Sequence, residues 1–364
     1  MLFTRIIPTE ETIAGFLPLP ELNQPWLDGF HECGSRLVPR LRTALGWRDR
    51  LGALARRFGL RRNDYRILPG LYATGSPSPQ DTVLVTANYK LSVDALRKEL
   101  GGLSLWVLVL DTKGVNVWCA AGKGSFGTDE LIAKIKASRL SELVSHKTLV
   151  LPQLGAPGVS APALAKRAAW RAHWGPVRAS DLRAYLAAGM KKDEGMSRVR
   201  FGIGERLAVA PMELVQAWPV LAAGLGLALA GGISSLSIGA GGLDQALRQA
   251  SKTLAASVGL WLLGGLGFPL LLPLLPGRAF AVKGAILGLA GGALSAVALG
   301  SGYGAALAWI LASGAAISFL GMNFTGAASF TSHTGALYEV EKAIVPQALA
   351  LAAAAIAALV GLFA

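Results

Sequence analysis

The 364-residue chain is long enough for two domains, and its 52% hydrophobic content and mean hydropathy of +0.47 are high for a soluble protein. The net charge of +13 is uneven: past Arg206 only five basic and four acidic residues occur, so the front carries about +12 and the back is nearly neutral. This is the pattern of a soluble head on a membrane domain; two cysteines 86 positions apart exclude a disulfide framework and fit a reducing compartment.

The N-terminus lacks an apolar core of signal-peptide length before Pro8 and Glu10–Glu11, which predicts no cleaved targeting segment. Residues 1–68 form a basic extension rich in Pro, Arg and Gly. Within it, Arg36 to Arg62 is arginine-rich and lysine-free, and Leu51, Leu54, Ala55 and Phe58 fall at helical spacing. The expectation is an amphipathic basic segment packed on the head or lying near lipid. Its charge is not read as nucleic-acid binding, because no such motif occurs and aromatics are not interleaved with the basic runs. An anionic leaflet explains it more simply. His31, Glu32 and Cys33 are adjacent, and adjacent side chains do not converge on one face, so no metal site is expected there.

Residues 69–188 alternate strand and helix. Strands are expected at Thr82–Ala87, Leu105–Leu110 and Thr148–Leu151. Helices are expected at Leu91–Leu100 (opened by Ser92), Thr128–Ser138 (capped by Thr128) and Ala161–Trp170. Such units predict a parallel, Rossmann-like α/β sheet with ligands outside the carboxyl ends of its strands. Three loops fall at those ends: Asn88–Tyr89, Asp111 to Lys123, and Gln153 to Gly158. The spacing Gly122-Lys-Gly124-Ser-Phe-Gly127 matches a dinucleotide fingerprint, but it does not follow a strand directly and no acidic residue closes the next strand, so NAD binding is not expected.

The most informative stretch is Val115 to Gly124. After the Leu105–Leu110 strand and a turn at Gly114, it reads as a short helix bearing Cys119, with Asn116 and Lys123 on the same face. Ala120, Ala121 and Gly122 leave room for something broad and flat to approach the thiol. One reading makes Cys119 a small buried hydrophobe. The other makes it a metal ligand beside a macrocycle. With no second Cys or His at zinc spacing, a closed zinc site is excluded.

Residues 189–210 are a charged, Gly-punctuated linker. Apolar spans follow at about 211–231, 253–275, 284–301, 304–322 and 344–364, most near the roughly 20 residues that cross a bilayer. Small residues such as Gly288, Gly291 and Gly292 suit close helix packing in lipid. Dense Lys and Arg in the head and linker predict a multi-pass inner-membrane protein with the head in the cytoplasm and Ala364 outside. Asn323 to Ala343 is too polar to span and is expected to be an inside connector.

The octapeptide Asn116-Val-Trp-Cys-Ala-Ala-Gly-Lys123 closely resembles the cap helix of the corrinoid protein of the microbial mercury-methylation pair, the HgcA family. Val83–Lys90, Leu151–Gly158, Gly175–Ala179 and Met322–Gly326 resemble further segments of that family in order, so the resemblance runs from about Pro69 to the C-terminus. Ala327–Ala328 and His333–Thr334 depart from its usual pattern. The family's corrinoid domain is related to the large subunit of the corrinoid iron–sulfur protein. The resemblance implies a Rossmann-like corrinoid-binding head, a transmembrane domain of about five helices, and a methyltransferase passing a methyl group from methyl-Co(III) to inorganic Hg(II). It implies a base-off cobalamin-type cofactor with Cys119 thiolate as lower axial ligand. Contacts to it are expected from Thr86, Asn88, Asn116, Val117, Trp118, Ala120, Ala121, Gly122, Lys123, Gly124, Gly155, Ala156 and Gly158. Gly155 and Gly158 would let backbone approach the nucleotide tail. The implied partners are a ferredoxin-like protein with two [4Fe–4S] clusters and an upstream methyl donor, either a protein or a methyl-folate. A membrane-attached methyl carrier of one-carbon metabolism is the other enzymatic reading, and a transporter with a regulatory head the non-enzymatic one.

Overall fold

The computed structural model describes residues 24–237, 242–328, 331 and 333–363. The expectations for the first 23 residues and for Ala364 lie outside the described residues. The chain forms two compact units. One holds Arg61–Val199 and the described residues up to Arg56; the other holds Arg57–Leu60 and the described residues from Arg200 onward.

The first unit is built on a seven-stranded sheet of order β1-β2-β3-β5-β4-β6-β7. Its strands are β1 Leu27–Cys33, β2 Arg36–Leu41, β3 Gly70–Thr74, β4 Val83–Ala87, β5 Leu105–Leu110, β6 Thr148–Leu151 and β7 Arg171–Trp174. Strand β5, Leu-Trp-Val-Leu-Val-Leu, is buried at every position, as expected of a central strand covered on both faces. The expected all-parallel sheet is corrected here: β5, β4, β6 and β7 run parallel, but β3 is antiparallel to β5 and β1–β2 is an antiparallel hairpin. Two residues, Gly34 and Ser35, link β1 to β2, too short a connection for a parallel crossover. Helix Ala161–Ala168 also stops short of Trp170, because Ala169 turns left-handed at φ 57° and frees the next residues for β7.

Helices cover both faces. Named in chain order, α1 is Trp47–Arg57, α2 Lys90–Arg97, α3 Val117–Gly122, α4 Thr128–Ala137, α5 Ala161–Ala168 and α6 Leu182–Ala187. One face joins Val85, Trp106 and Leu108 to Ala120, Phe126, Leu131, Ile135 and Leu164 of the α3–α5 side. The other joins Tyr72, Leu84 and Val107 to Val93, Leu182 and Tyr185. A buried ion cluster ties α1 to α2. Lys90 Nζ stands 2.6 Å from Asp49 Oδ1 and 2.8 Å from Asp94 Oδ2, and Arg97 stands 2.7 Å from each carboxylate. Arg97 also donates to the carbonyls of Arg42 and Ala44, so every charge is compensated.

The second unit is helical: α7 Ile203–Gln216, α8 Trp218–Ser237, α9 Gly242–Leu262, α10 Phe280–Leu299, α11 Tyr303–Phe324 and α12 His333–Phe363. Among the described residues four helices are long and apolar enough to cross a membrane, and up to five if α7 and the first part of α8, bent by 43°, count as one span. Glycines set the closest packing. A Cβ on Gly288 would lie 2.3 Å from Ser313 O, so α10 and α11 meet backbone to backbone. Residues Met322 and Phe324 are buried in this unit, Phe324 between Phe268 and Phe280. The expected connector is shorter than 323–343, because α12 already begins at His333.

Candidate functional site

Strands β4 and β5 are parallel neighbours whose chains leave for opposite faces of the sheet, to α2 and to α3. That divergence opens a crevice at their carboxyl ends, where open α/β sheets bind ligands. Asn88, just past β4, fills the bottom of it at 1% exposure. Its Oδ1 accepts from the backbone N–H of Thr112 at 3.1 Å and of Gly114 at 3.0 Å, and its Nδ2 donates to Asp111 Oδ1 at 3.1 Å. The Thr112 hydroxyl donates to Val115 O at 2.6 Å, and Glu130 Oε1 accepts from the Asp111 N–H at 2.7 Å. These bonds fix the turn that delivers the cysteine helix. Gly114 is required in it: φ is +75°, and a Cβ would meet Asn63 O at 2.6 Å.

The turn leads into α3, for which Asn116 is the N-cap: its Oδ1 accepts from the Cys119 N–H at 2.9 Å. Its place beside Cys119 is therefore structural, and Asn116 orients the cysteine's own backbone. The helix ends at Gly122, so Lys123 is the C-cap one turn beyond Cys119, with its N–H on Cys119 O at 3.0 Å. Cys119 is half-buried, at the third residue of the helix.

The small residues around it divide into two sets with different causes. Ala120 and Ala121, at 0% and 5% exposure, face the core and are small because α3 packs tightly there. Gly122 and Gly124 are exposed, and a Cβ added at either would meet nothing within 4 Å. The rim next to the thiol is thus bare of side chains, with half-buried Val117 and Trp118 on the preceding positions. A flat macrocycle can approach the sulfur across that rim, and on this observation the residues present fit a corrin ring. Among the described residues no three His, Cys, Asp or Glu side chains gather as around a metal ion, so the donor available here is a single sulfur.

The glycines of the β6 loop have a packing role. A Cβ on Gly158 would lie 2.1 Å from Phe126 O and 2.9 Å from Ala121 Cα, and one on Gly155 would lie 2.6 Å from Phe126 Cε1. Their open sides are filled from within, so they seat the loop against the end of α3, while Ala156 between them is half-exposed. Thr86 is buried at 4% within β4, paired with Val109, and does not reach the loop surface. Val117, Trp118, Cys119, Gly122, Lys123 and Gly124 are thus half-buried or exposed, and Asn88, Asn116, Ala120, Ala121, Gly155 and Gly158 make supporting hydrogen bonds or packing contacts. Sequence reading missed Thr112, Phe126 and Glu130. An Asp-Thr-x-Gly turn directly after a buried strand was the available signal for the first.

Residues 61–185 match the family described as CO dehydrogenase/acetyl-CoA synthase delta subunit. The chain is similar to the acetyl-CoA decarbonylase/synthase complex subunit gamma of Archaeoglobus fulgidus, 30% identical over 34% of this chain and 27% of the relative. The subunits gamma of Methanopyrus kandleri and Methanothermobacter thermautotrophicus are 31% and 28% identical, over 25% and 32% of this chain and 20% and 26% of theirs. The chain spans about a quarter of the length of the curated relatives it matches. The matched stretch takes in the crevice, the cysteine helix and the β6 loop.

Proposed function

We propose that the chain is a membrane-attached corrinoid protein of methyl transfer, and that Cys119 is the side chain that would hold the cobalt of a bound corrinoid. The observation that carries this reading is a half-buried thiol on a capped helix, at the carboxyl ends of β4 and β5, beside a rim that two glycines leave bare. The similarity over residues 61–185 supports corrinoid methyl transfer and favours the one-carbon carrier reading, so the proposal of Hg(II) as acceptor rests on Cys119 and the octapeptide. When bound, a corrinoid supplies a cobalt centre that accepts and gives up methyl groups.

What this chain contributes is position and charge. Asn116 holds the Cys119 backbone, the Asn88 clamp holds the turn before it, and Gly122 and Gly124 keep the approach open. A thiolate is a soft, anionic donor, and it would give the cobalt of a bound corrinoid more electron density than a neutral imidazole. That donation suits an acceptor to which the methyl group leaves as a carbanion equivalent. Inorganic Hg(II) is such an acceptor, and it is the one we propose, on Cys119 together with the octapeptide's resemblance. Lys123 adds positive charge one turn from the sulfur. The electron source is proposed as a ferredoxin-like partner with two [4Fe–4S] clusters, since two cysteines cannot hold one such cluster. An upstream protein or methyl-folate supplies the methyl group, and the head works on the cytoplasmic side of the inner membrane.

The test is the visible absorption spectrum of the purified full chain loaded with cobalamin, with and without Cys119, alongside methylmercury formation. Thiolate ligation predicts a spectrum that changes in Cys119→Ala and a loss of methylmercury at equal cofactor loading. An unchanged spectrum and rate would transfer the reading to the one-carbon carrier.

A further inference from the structure

Helix α1 is amphipathic in the reverse of the usual sense. At about 100° per residue, Trp47, Leu51, Leu54 and Phe58 form one stripe, and Asp49, Gly52 and Arg56 lie on the opposite side. The polar side is the one that packs on the head. Asp49 is held by Lys90 and Arg97, Gly52 lies under the Tyr65 ring, and the Arg56 guanidinium stands 4.6 Å from that ring's centroid. The apolar side faces outward, with Trp47 69%, Leu51 58%, Leu54 50% and Phe58 40% exposed, followed by Leu60 at 63%. No residue of α1 is buried. Its hydrophobic residues therefore contribute nothing to the core of the head, and four large apolar side chains in a row are costly to hold in water.

The charges around the stripe identify what covers it. Arg50 and Arg57 flank it on one side and Arg48 on the other, with Arg61 and Arg62 just beyond the helix end. The only acidic residue of the helix, Asp49, is spent on the buried cluster. The surface is thus an apolar strip bordered by arginines that form no ion pair among the described residues, the composition of a helix that lies in the plane of an anionic bilayer surface. The second unit supplies the apolar phase for such a helix to meet, since four or five of its described helices are long and apolar enough to span a bilayer. We propose that α1 is an interfacial helix: Trp47, Leu51 and Leu54 insert at the headgroup–acyl boundary of an anionic leaflet, and Arg48 and Arg50 bind its phosphates. This stands independently of the corrinoid reading.

The experiment uses the full chain in vesicles, with Cys33 and Cys119 replaced by Ala and a nitroxide placed at Leu51→Cys, Leu54→Cys or, as control, Lys136→Cys on the exposed face of α4. Collision rates with oxygen and with a polar nickel chelate are compared in phosphatidylcholine vesicles with and without phosphatidylglycerol. Expected is an oxygen-dominated ratio at 51 and 54 in the anionic vesicles, its reversal by Arg48→Glu/Arg50→Glu, and nickel-dominated collision at 136. Nickel-dominated collision at 51 and 54 in anionic vesicles would overturn the proposal. So would protection of both sites from both reagents, which would mean that protein covers the stripe. Circular dichroism of each labelled variant, with two independent label sites, guards against a misfolded readout.

Discussion

Cys33 and Cys119 both stand half-buried in the first unit, yet their surroundings differ in every other respect. Cys33 ends the edge strand β1, opposite Arg36 across a two-residue turn, and packs against the larger hydrophobic cluster of the sheet. Burial pushes its thiol up to about 11, so it stays protonated and unreactive at neutral pH. Cys119 has its backbone fixed by Asn116, its turn fixed by Asn88, and bare glycine backbone on the neighbouring rim. The contrast teaches that a cysteine becomes a candidate ligand through its supports. Those supports are hydrogen bonds and missing side chains one or two residues away.

The sharpest way to break the comparison is Cys119→Ala. Alanine suits a helix and removes only the thiol, so the melting temperature should hold while methylmercury formation in a whole-chain assay falls to background. On the proposed thiolate ligation, Cys119→His should retain bound corrinoid with severely reduced transfer to Hg(II), because imidazole can ligate cobalt without the anionic charge.

Asn88→Ala comes next. It leaves the buried N–H groups of Thr112 and Gly114 without their acceptor, at a cost of about 3 kcal/mol. Cofactor loading should drop with stability, measured by thermal unfolding and absorbance, because Asn88 holds the turn that delivers Cys119. Gly158→Ala tests the seat beneath α3. The added methyl meets Phe126 O and Ala121, so roughly 1–3 kcal/mol of overpacking is expected, with weaker corrinoid retention.

The Asp49 cluster provides a pH test remote from both cysteines. Burial alone would raise the Asp49 carboxyl, but hydrogen bonds from Lys90, from the Gly46 N–H and from Arg97 outweigh it and hold the pKa down to about 2. An unfolded aspartate titrates near about 3.9. The folded value is the lower one, so this contribution to stability is complete above about pH 4 and is lost as the pH falls through about 2. Asp49→Asn should flatten that acid limb of the unfolding curve. The smallest effect belongs to Cys33→Ala: unchanged methyl transfer, and about 1 kcal/mol or less in stability. In the wild type, iodoacetamide at neutral pH should modify Cys119 and leave Cys33 largely untouched, as read by peptide mass.

Much of the central sheet could be read from the residues. Leu105–Leu110 and Thr148–Leu151 coincide with β5 and β6, since short apolar runs bounded by turn residues have few other ways to be buried. The apolar spans were legible for the same reason, length and hydropathy being properties of the chain itself. The rest of the sheet was not: β3 and β7 pair with strands more than twenty residues away, and the β1–β2 hairpin lies in a Pro-, Arg- and Gly-rich stretch where no periodicity announces it. At the site, the octapeptide pointed to Cys119, because the thiol's chemistry is local. What each neighbour does was decided by packing alone. Asn116 caps the helix, Ala121 meets Gly158, and Gly122 faces open space, and one sequence spacing serves all three. The stripe of α1 makes the same point: sequence places Leu51, Leu54 and Phe58 on one face, but only the buried pairing of Asp49 with Lys90 and Arg97 turns that face outward.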